Sequence, residues 1–122
     1  MSADCLFCRI VAGEIPATVV HETATTLAFR DINPQAPTHV VLVPRQHEPD
    51  AAALAKAAPD VLADLFAAAG EVADAEGVAD NGYRLLFNTG ADAGQTVFHA
   101  HLHLLGGEWL GGLVGGTLKT SG

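Results

Sequence analysis

Three histidines alternate with apolar residues near the end of the chain, in the stretch Val97-Phe98-His99-Ala100-His101-Leu102-His103-Leu104. Side chains of a β-strand point alternately to its two faces, so a strand over residues 96–105 would carry the three imidazoles on one face. Phe98, Ala100, Leu102 and Leu104 would then lie on the other face. Imidazole titrates near neutral pH, and Thr, Lys or Glu would cover a solvated sheet face more simply. The pattern therefore predicts a strand with one chemical face and one core face.

The spacing of these histidines limits what they can do together. Residues i and i+4 of a strand are about 13 Å apart, so His99 and His103 cannot both bind one metal ion, whereas neighbours two apart could. A neutral imidazole is also a good nucleophile and exchanges protons readily near pH 7. We expect the central histidine, His101, to be the nucleophile.

Composition narrows the class of protein. The chain has 122 residues, 49% hydrophobic and 16% charged, which is typical of one folded domain that dimerisation would help to stabilise. Its formal charge of −8 speaks against binding duplex nucleic acid, although a few local donors can hold one mononucleotide. We find no apolar run of about 18 residues and no opening signal peptide, so we expect a cytoplasmic protein without membrane contact.

Periodicity and turn residues predict the secondary structure. The clearest element is a helix that begins at Pro59 and ends near Gly77, with an apolar stripe for core or dimer packing. Residues 48–58 are Ala-rich and compatible with a loop or a short helix. Besides the histidine strand, we expect strands at 18–22, 27–32, 38–44 and 83–88.

The two cysteines form the motif Cys5-Leu6-Phe7-Cys8. Such a pair is redox-active, half of a zinc site, or two buried thiols that pack as small apolar groups. A thioredoxin-like motif follows a strand, and only four residues precede this one, so a redox role is disfavoured.

Other polar residues admit more than one role from the residues alone. Asp31 ends a predicted strand, where it either accepts hydrogen bonds from ribose hydroxyls or caps a turn. His39 fits a hydrogen-bonded structural histidine better than a catalyst. The glycine-rich loop at residues 90–94 either lets backbone N–H groups approach an anion or, as in most loops of this kind, is merely a turn.

The segment from Gly94-Gln95-Thr96 through the histidine alternation to Gly106-Gly107 resembles the signature of the histidine-triad (HIT) nucleotide hydrolases and transferases. Its sequence is most similar to that of the Hint branch of nucleoside phosphoramidases, and the resemblance covers roughly residues 5–108. The resemblance implies an α+β, HIT-like fold: a five-stranded antiparallel sheet with one main helix and a short N-terminal helix. It also implies a sheet continued across a homodimer. Residues 1–122 would form a single domain with a Gly-rich tail from residue 109.

The same resemblance implies a function. A purine nucleotide derivative would lose its leaving group at the α-phosphate, and NMP would be released through a nucleotidyl-histidine intermediate. His101 would attack, His103 and His39 would bind phosphate oxygens, and Thr96 would help to protonate the departing amine. The transferase branch carries Gln in place of His103, so this histidine favours hydrolysis.

Binding residues also follow from the resemblance. A structural zinc, not needed for catalysis, would be held by Cys5, Cys8, His47 and His99. The nucleotide would contact Phe7, Phe29, Asp31, Ile32, Asn88, Gly94, Thr96, Val97, His101 and His103. The Hint branch usually has Ser where Thr96 stands, which changes the space for the leaving group.

Two other functions stay open. One is a dinucleoside polyphosphate hydrolase of the fragile-histidine type, which lacks the N-terminal cysteine pair. The other is a nucleotide-binding regulatory protein without turnover, against which the intact set of histidines speaks. Trp109 would stack on a substrate or pack at an interface.

Overall fold

The computed structural model describes residues 4–112. Within that range the chain forms three α-helices, five β-strands and one short 3₁₀ helix. In chain order they are α1 (Leu6–Val11), β1 (Val19–Glu22), β2 (Thr26–Arg30), β3 (Thr38–Pro44), α2 (Ala51–Ala57), α3 (Pro59–Glu76), β4 (Tyr83–Leu86), the 3₁₀ helix (Ala91–Ala93) and β5 (Leu102–Gly106). The ambiguity at residues 48–58 is resolved in favour of a short helix. Residues 113–122 of the predicted tail lie outside the described part.

The strands form one antiparallel sheet in the order β1-β2-β3-β5-β4. β3 lies at its centre and all seven of its residues are buried, because it is covered on both faces. β5 lies beside it, with Val41 opposite His103 and His39 opposite Leu105. The predicted five-stranded antiparallel sheet with a main helix is confirmed.

The two faces of the sheet carry different cores. Val40 and Leu42 of β3 face α3 and pack in the larger cluster, together with Leu65, Val72 and Leu104. The intervening residues of β3 point to the opposite face, where a smaller cluster is built from Phe7, Leu27, Phe29, Val41 and Val43. Because side chains alternate along a strand, His39 and His103 belong to this second face, beside α1.

α3 shows how local sequence fixes an element. Pro59 occupies its first turn, where the missing N–H is no loss, and Asp60 suits the positive end of the helix dipole. Gly77 ends the helix in the left-handed region with φ of 74°, which glycine adopts without steric strain. The predicted start and end are confirmed. Phe66 of this helix is 44% exposed, and its ring centroid lies 6.2 Å from that of Phe87.

The predicted strand over residues 96–105 is wrong in its first half. β5 begins at Leu102, and Phe98, which was assigned to the core face, is 53% exposed. The sheet register would bring Ala100 opposite Pro44, which has no N–H to offer a neighbouring strand. The N–H of Ala100 donates instead to the Glu48 carbonyl at 2.7 Å. The pairing with β3 therefore begins only at Leu102, and residues 96–101 belong to no strand.

Among residues 4–112, no helix combines the length with the apolar character needed to cross a bilayer.

Candidate functional site

Side chains from three separate segments meet at the start of α1. The Sγ atom of Cys5 lies 3.4 Å from Nδ1 of His99, and Sγ of Cys8 lies 3.3 Å from Nδ1 of His47. The two histidine Nδ1 atoms are 3.1 Å apart. All four ligand atoms lie within 4.8 Å of one another, so the residues that the resemblance named as a set are brought together as a set.

The orientation of His99 suits metal binding. Its Nε2–H donates to the Pro44 carbonyl at 2.8 Å, which leaves the lone pair of Nδ1 directed into the cluster. Burial lowers the pKa of His99, the hydrogen bond to the Pro44 carbonyl opposes this shift, and the nearby His47 and His101 add to it. The ring is therefore neutral at pH 7. A tetrahedron with bonds of about 2.0–2.3 Å has edges of ~3.3–3.8 Å, close to the separations seen here. These four residues could hold a metal ion.

His101 is fixed by the main chain of its neighbour. It is buried, and its Nδ1 lies 2.7 Å from the carbonyl oxygen of His99. A carbonyl can only accept, so Nδ1 carries the proton and the lone pair of the neutral ring lies on Nε2. The ring of Phe7 meets His101 edge-on, with centroids 4.8 Å apart. This tautomer leaves Nε2 able to act as a nucleophile or a base.

His39 and His103 form a buried pair. Nε2 of His39 lies 2.9 Å from Nδ1 of His103 and 3.4 Å from Oδ2 of Asp31. Burial lowers the pKa of His103 to about 3, with smaller contributions from His101 and His39. Burial also lowers the pKa of His39, and the Asp31 carboxylate opposes that shift in part. Both rings are therefore neutral at physiological pH.

A pocket of about 500 Å³ opens between α1, β2 and the segment before β5. Of the residues predicted to bind nucleotide, it is lined by Phe7, Phe29, Asp31, Ile32, Thr96 and Val97. Its walls are mostly apolar, as expected for a slot that accepts the flat face of a base. Ile32 is 93% exposed, so it lies at the rim.

Asp31 caps a turn and also lies at the pocket. Its Oδ1 accepts the N–H of Asn33 at 2.8 Å, as a turn-capping carboxylate does. The residue also lines the pocket and approaches His39. The two interpretations are therefore compatible with each other.

Four of the residues predicted to bind nucleotide do not line this pocket: Asn88, Gly94, His101 and His103. Asn88 follows β4, and Gly94 ends the 3₁₀ helix with φ of 87°. Neither lines the pocket. Trp109 is 89% exposed beside a separate concavity that contains none of the three histidines, so within the described chain it neither packs in the core nor faces them.

Sequence reasoning missed Gln95. Its side chain is only 4% exposed, and Oε1 accepts the N–H of Gly90 at 2.8 Å. Its Nε2 donates to the carbonyls of Pro49 and Val97 at 2.8 and 3.0 Å. Gln95 thus ties the glycine-rich loop to the segment that leads into the histidines. Its place in the Gly94-Gln95 signature was the only signal available.

The fold and this site together define a small α+β protein that combines a Cys₂His₂ cluster with three alternating histidines beside a pocket. The HIT domain family model matches residues 12–109, and the chain belongs to this family.

Characterised relatives support the assignment. The purine nucleoside phosphoramidase of Escherichia coli is 40% identical over 111 residues, covering 91% of this chain and 93% of the relative. A 14 kDa zinc-binding protein of Zea mays is 47% identical over 106 residues, covering 84% and 81%. The solved structure of a HIT family hydrolase from Clostridium thermocellum superposes with a TM-score of 0.89 at 41% identity, covering 93% of this chain and 99% of that one. Hydrolase activity is thereby supported at the level of the family.

Proposed function

We propose that this protein is a purine nucleoside phosphoramidase, which releases NMP from nucleoside 5′-phosphoramidates or related NMP derivatives. The observation that carries the proposal is the tautomer of His101. Its Nδ1–H is held by the His99 carbonyl at 2.7 Å, and the reactive lone pair therefore lies on Nε2. The relative from Escherichia coli carries the name of this activity.

The reaction would proceed in two steps. Nε2 of His101 attacks the α-phosphorus, the P–N bond to the leaving group breaks, and the departing amine takes a proton with help from the Thr96 hydroxyl. A water molecule then attacks phosphorus, the bond to His101 breaks, and NMP leaves. His103 would stabilise the charge on the phosphate oxygens. His39 would act through His103, because its Nε2 lies 2.9 Å from Nδ1 of that ring and is not available to the phosphate.

The nucleotide would lie in the 500 Å³ pocket. Phe7 and Phe29 meet edge to face at 5.6 Å and offer the base an apolar slot. Ile32 would close its rim, and Asp31 would accept hydrogen bonds from the ribose. Asn88, Gly94 and the Val97 N–H would contact ribose and phosphate from the loop that Gln95 fastens.

The assay compares AMP release from adenosine 5′-phosphoramidate and from diadenosine tetraphosphate. We expect the phosphoramidate to be hydrolysed faster and His101→Ala to lose at least about 10³-fold in kcat, because the nucleophile is removed. His21→Ala, at a histidine of β1 outside the site, should keep wild-type rates. Hydrolysis of neither compound, or an undiminished rate in His101→Ala, would contradict the proposal. A preference for the tetraphosphate would favour the dinucleoside polyphosphate hydrolase.

We also propose that the Cys5, Cys8, His47 and His99 cluster holds one structural zinc ion. The zinc ion would act as a cross-link, since it would hold α1 against the segments after β3 and before β5. With six residues, α1 is too short to be stable alone.

Metal analysis and hydrogen exchange test the zinc proposal separately from activity. We expect one zinc per chain, lost in Cys8→Ser and kept in His21→Ala. Removal of the metal with a chelator should raise amide exchange in residues 6–11 far more than in α3. Unchanged zinc in Cys8→Ser would remove this site.

A homodimer is the third proposal. β4 lies at the end of the strand order, so its outer edge has no partner strand within residues 4–112. Tyr83 of β4 is exposed, and so is Phe66 of α3, whose ring centroid lies 6.2 Å from that of Phe87 just after β4. Sedimentation equilibrium should give twice the chain mass, and Phe66→Glu should lower it. A monomeric wild type contradicts the proposal.

A further inference from the structure

A main-chain N–H determines which nitrogen of His39 carries a proton. The backbone N of Gln35 lies 3.1 Å from Nδ1 of His39. A backbone N–H can only donate, so Nδ1 must offer its lone pair. In the neutral ring the proton is then on Nε2. The Asp31 carboxylate, 3.4 Å from that atom, favours the same form.

The proton position is passed on to the next ring. Nε2–H of His39 points at Nδ1 of His103 across 2.9 Å, so Nδ1 of His103 accepts. The proton of His103 must then lie on its Nε2. This atom is buried and has no hydrogen-bond partner within residues 4–112. A buried donor without a partner costs about 1–3 kcal/mol, a cost that an acceptor on a bound substrate would remove.

The same argument excludes a second metal site. Asp31, His39 and His103 present ligand atoms within 4.8 Å of one another, as a metal-binding triad does. A metal would need the lone pair of His39 on Nε2. Because the Gln35 N–H uses the lone pair of Nδ1, Nε2 carries hydrogen and cannot be a ligand.

We propose that Gln35, through its main-chain N–H, is a positioning residue that fixes the tautomers of His39 and His103 and so keeps Nε2–H of His103 directed at the substrate's phosphate. The Gln35 side chain takes no part, since its Nε2 only donates to the Asn33 carbonyl at the surface. The kinetic consequence rests on the proposed phosphoramidase function. The assignment of the two tautomers does not depend on that function.

A matched pair of variants separates the N–H from the side chain. Gln35→Ala keeps the N–H, whereas Gln35→Pro removes it. In ¹⁵N-histidine-labelled protein without nucleotide, two-bond ¹H–¹⁵N spectra should show protonated Nε2 and unprotonated Nδ1 in both rings, for wild type and Gln35→Ala. Gln35→Pro should show mixed tautomers. A protonated Nδ1 of His39 in wild type, or unchanged tautomers in folded Gln35→Pro, would overturn the proposal.

A second pair is informative even where proline disturbs the loop. In His39→Gln the side-chain amide can still donate to Nδ1 of His103, whereas His39→Ala cannot. We expect the His103 tautomer to persist in the first variant and to become mixed in the second. An unchanged His103 tautomer in His39→Ala would overturn the proposal that His39 fixes the tautomer of His103.

Kinetics supply the functional readout. We expect Gln35→Pro to lower kcat for AMP release by about 10-fold with little change in KM, since the lost donor acts on developing charge. Gln35→Ala should stay within about twofold of wild type. Equal kcat in the two variants would overturn the catalytic role. A wild type without any turnover would instead show that the proposed function has failed. The ¹H–¹⁵N spectra would still test whether Gln35 fixes the tautomers of His39 and His103.

Discussion

At the scale of single residues, main-chain groups decide what the histidines can do. The carbonyl of Pro44 turns Nδ1 of His99 toward the cysteines, and the carbonyl of His99 turns Nε2 of His101 into the reactive nitrogen. The N–H of Gln35 places the proton of His39 on Nε2, and His39 in turn sets the tautomer of His103. The chemistry assigned to these four histidines therefore depends on backbone atoms, which neither the composition nor a sequence motif reveals.

Gln95 offers a prediction at this scale. Gln95→Ala removes three hydrogen bonds to part-buried main-chain groups, one in which Gln95 accepts and two in which it donates, so we expect a loss of about 2 kcal/mol in the free energy of unfolding. AMP release should also fall, because the loop before the histidines is released. Urea unfolding and the phosphoramidate assay measure the two effects.

Gln46→Ala is the control for Gln95, since Gln46 is exposed and pairs only with Glu48 at the surface. It should change stability by less than about 0.5 kcal/mol. Equal stability of the two alanine variants would show that Gln95 does not organise the loop.

At the scale of elements, local rules predict some segments and long-range contacts decide others. The bounds of β3 and α3 follow from a β-branched run, from Pro59 and from Gly77. The start of β5 does not, because residues 96–101 obey the alternation yet lie outside the sheet, where the N–H of Ala100 donates to the Glu48 carbonyl. Phe66 and Phe98 fit apolar patterns but are partly exposed, since a pattern indicates a face without showing what covers it.

The residues of the candidate site were predicted from the family resemblance rather than from spacing. Cys5, Cys8, His47 and His99 are far apart in the chain, and only the folded structure brings them within 4.8 Å. Gln35 and Gln95 were missed because one acts through its main chain and the other contacts main-chain groups alone.

Alanine substitution at two glycines of the α3 region should change the free energy of unfolding in opposite directions. Gly70 lies within the helix, and a Cβ there would meet nothing within 4 Å, so Gly70→Ala should raise the free energy of unfolding by about 0.5–1 kcal/mol. Gly77 ends the helix at φ of 74°, where Ala is strained, so Gly77→Ala should lower it by about 1 kcal/mol. Urea denaturation measures both. The same sign for both variants would contradict this account of the helix end.

At the scale of the whole molecule, burial of neutral histidines links stability to pH. The pKa of His103 is lowered from 6.5 to about 3 by burial and by His101 and His39, and burial lowers the pKa of His39 against the opposing Asp31 carboxylate. Between these values the unfolded chain binds protons that the native chain does not. Stability is therefore fully present above about pH 6.5 and falls as the pH decreases toward 3.

We expect His103→Gln to flatten this pH dependence. The free energy of unfolding of the wild type should fall by up to about 1.36 kcal/mol per pH unit for this histidine alone, and the difference between wild type and variant isolates its share. Urea unfolding at pH 7, 6, 5 and 4 measures it. Val72→Ala, which weakens the other core, should shift the curve down without changing its slope. A His103→Gln curve parallel to that of wild type would contradict the buried neutral form.

His99 belongs to two assemblies through two different parts of itself, an imidazole in the Cys₂His₂ cluster and a carbonyl against His101. Mutagenesis can delete the first and cannot delete the second. The rate of AMP release by a variant at position 99 would thus report how far the backbone shifts once the imidazole of His99 is gone. The larger the loss in rate, the farther the carbonyl of residue 99 has moved from Nδ1 of His101.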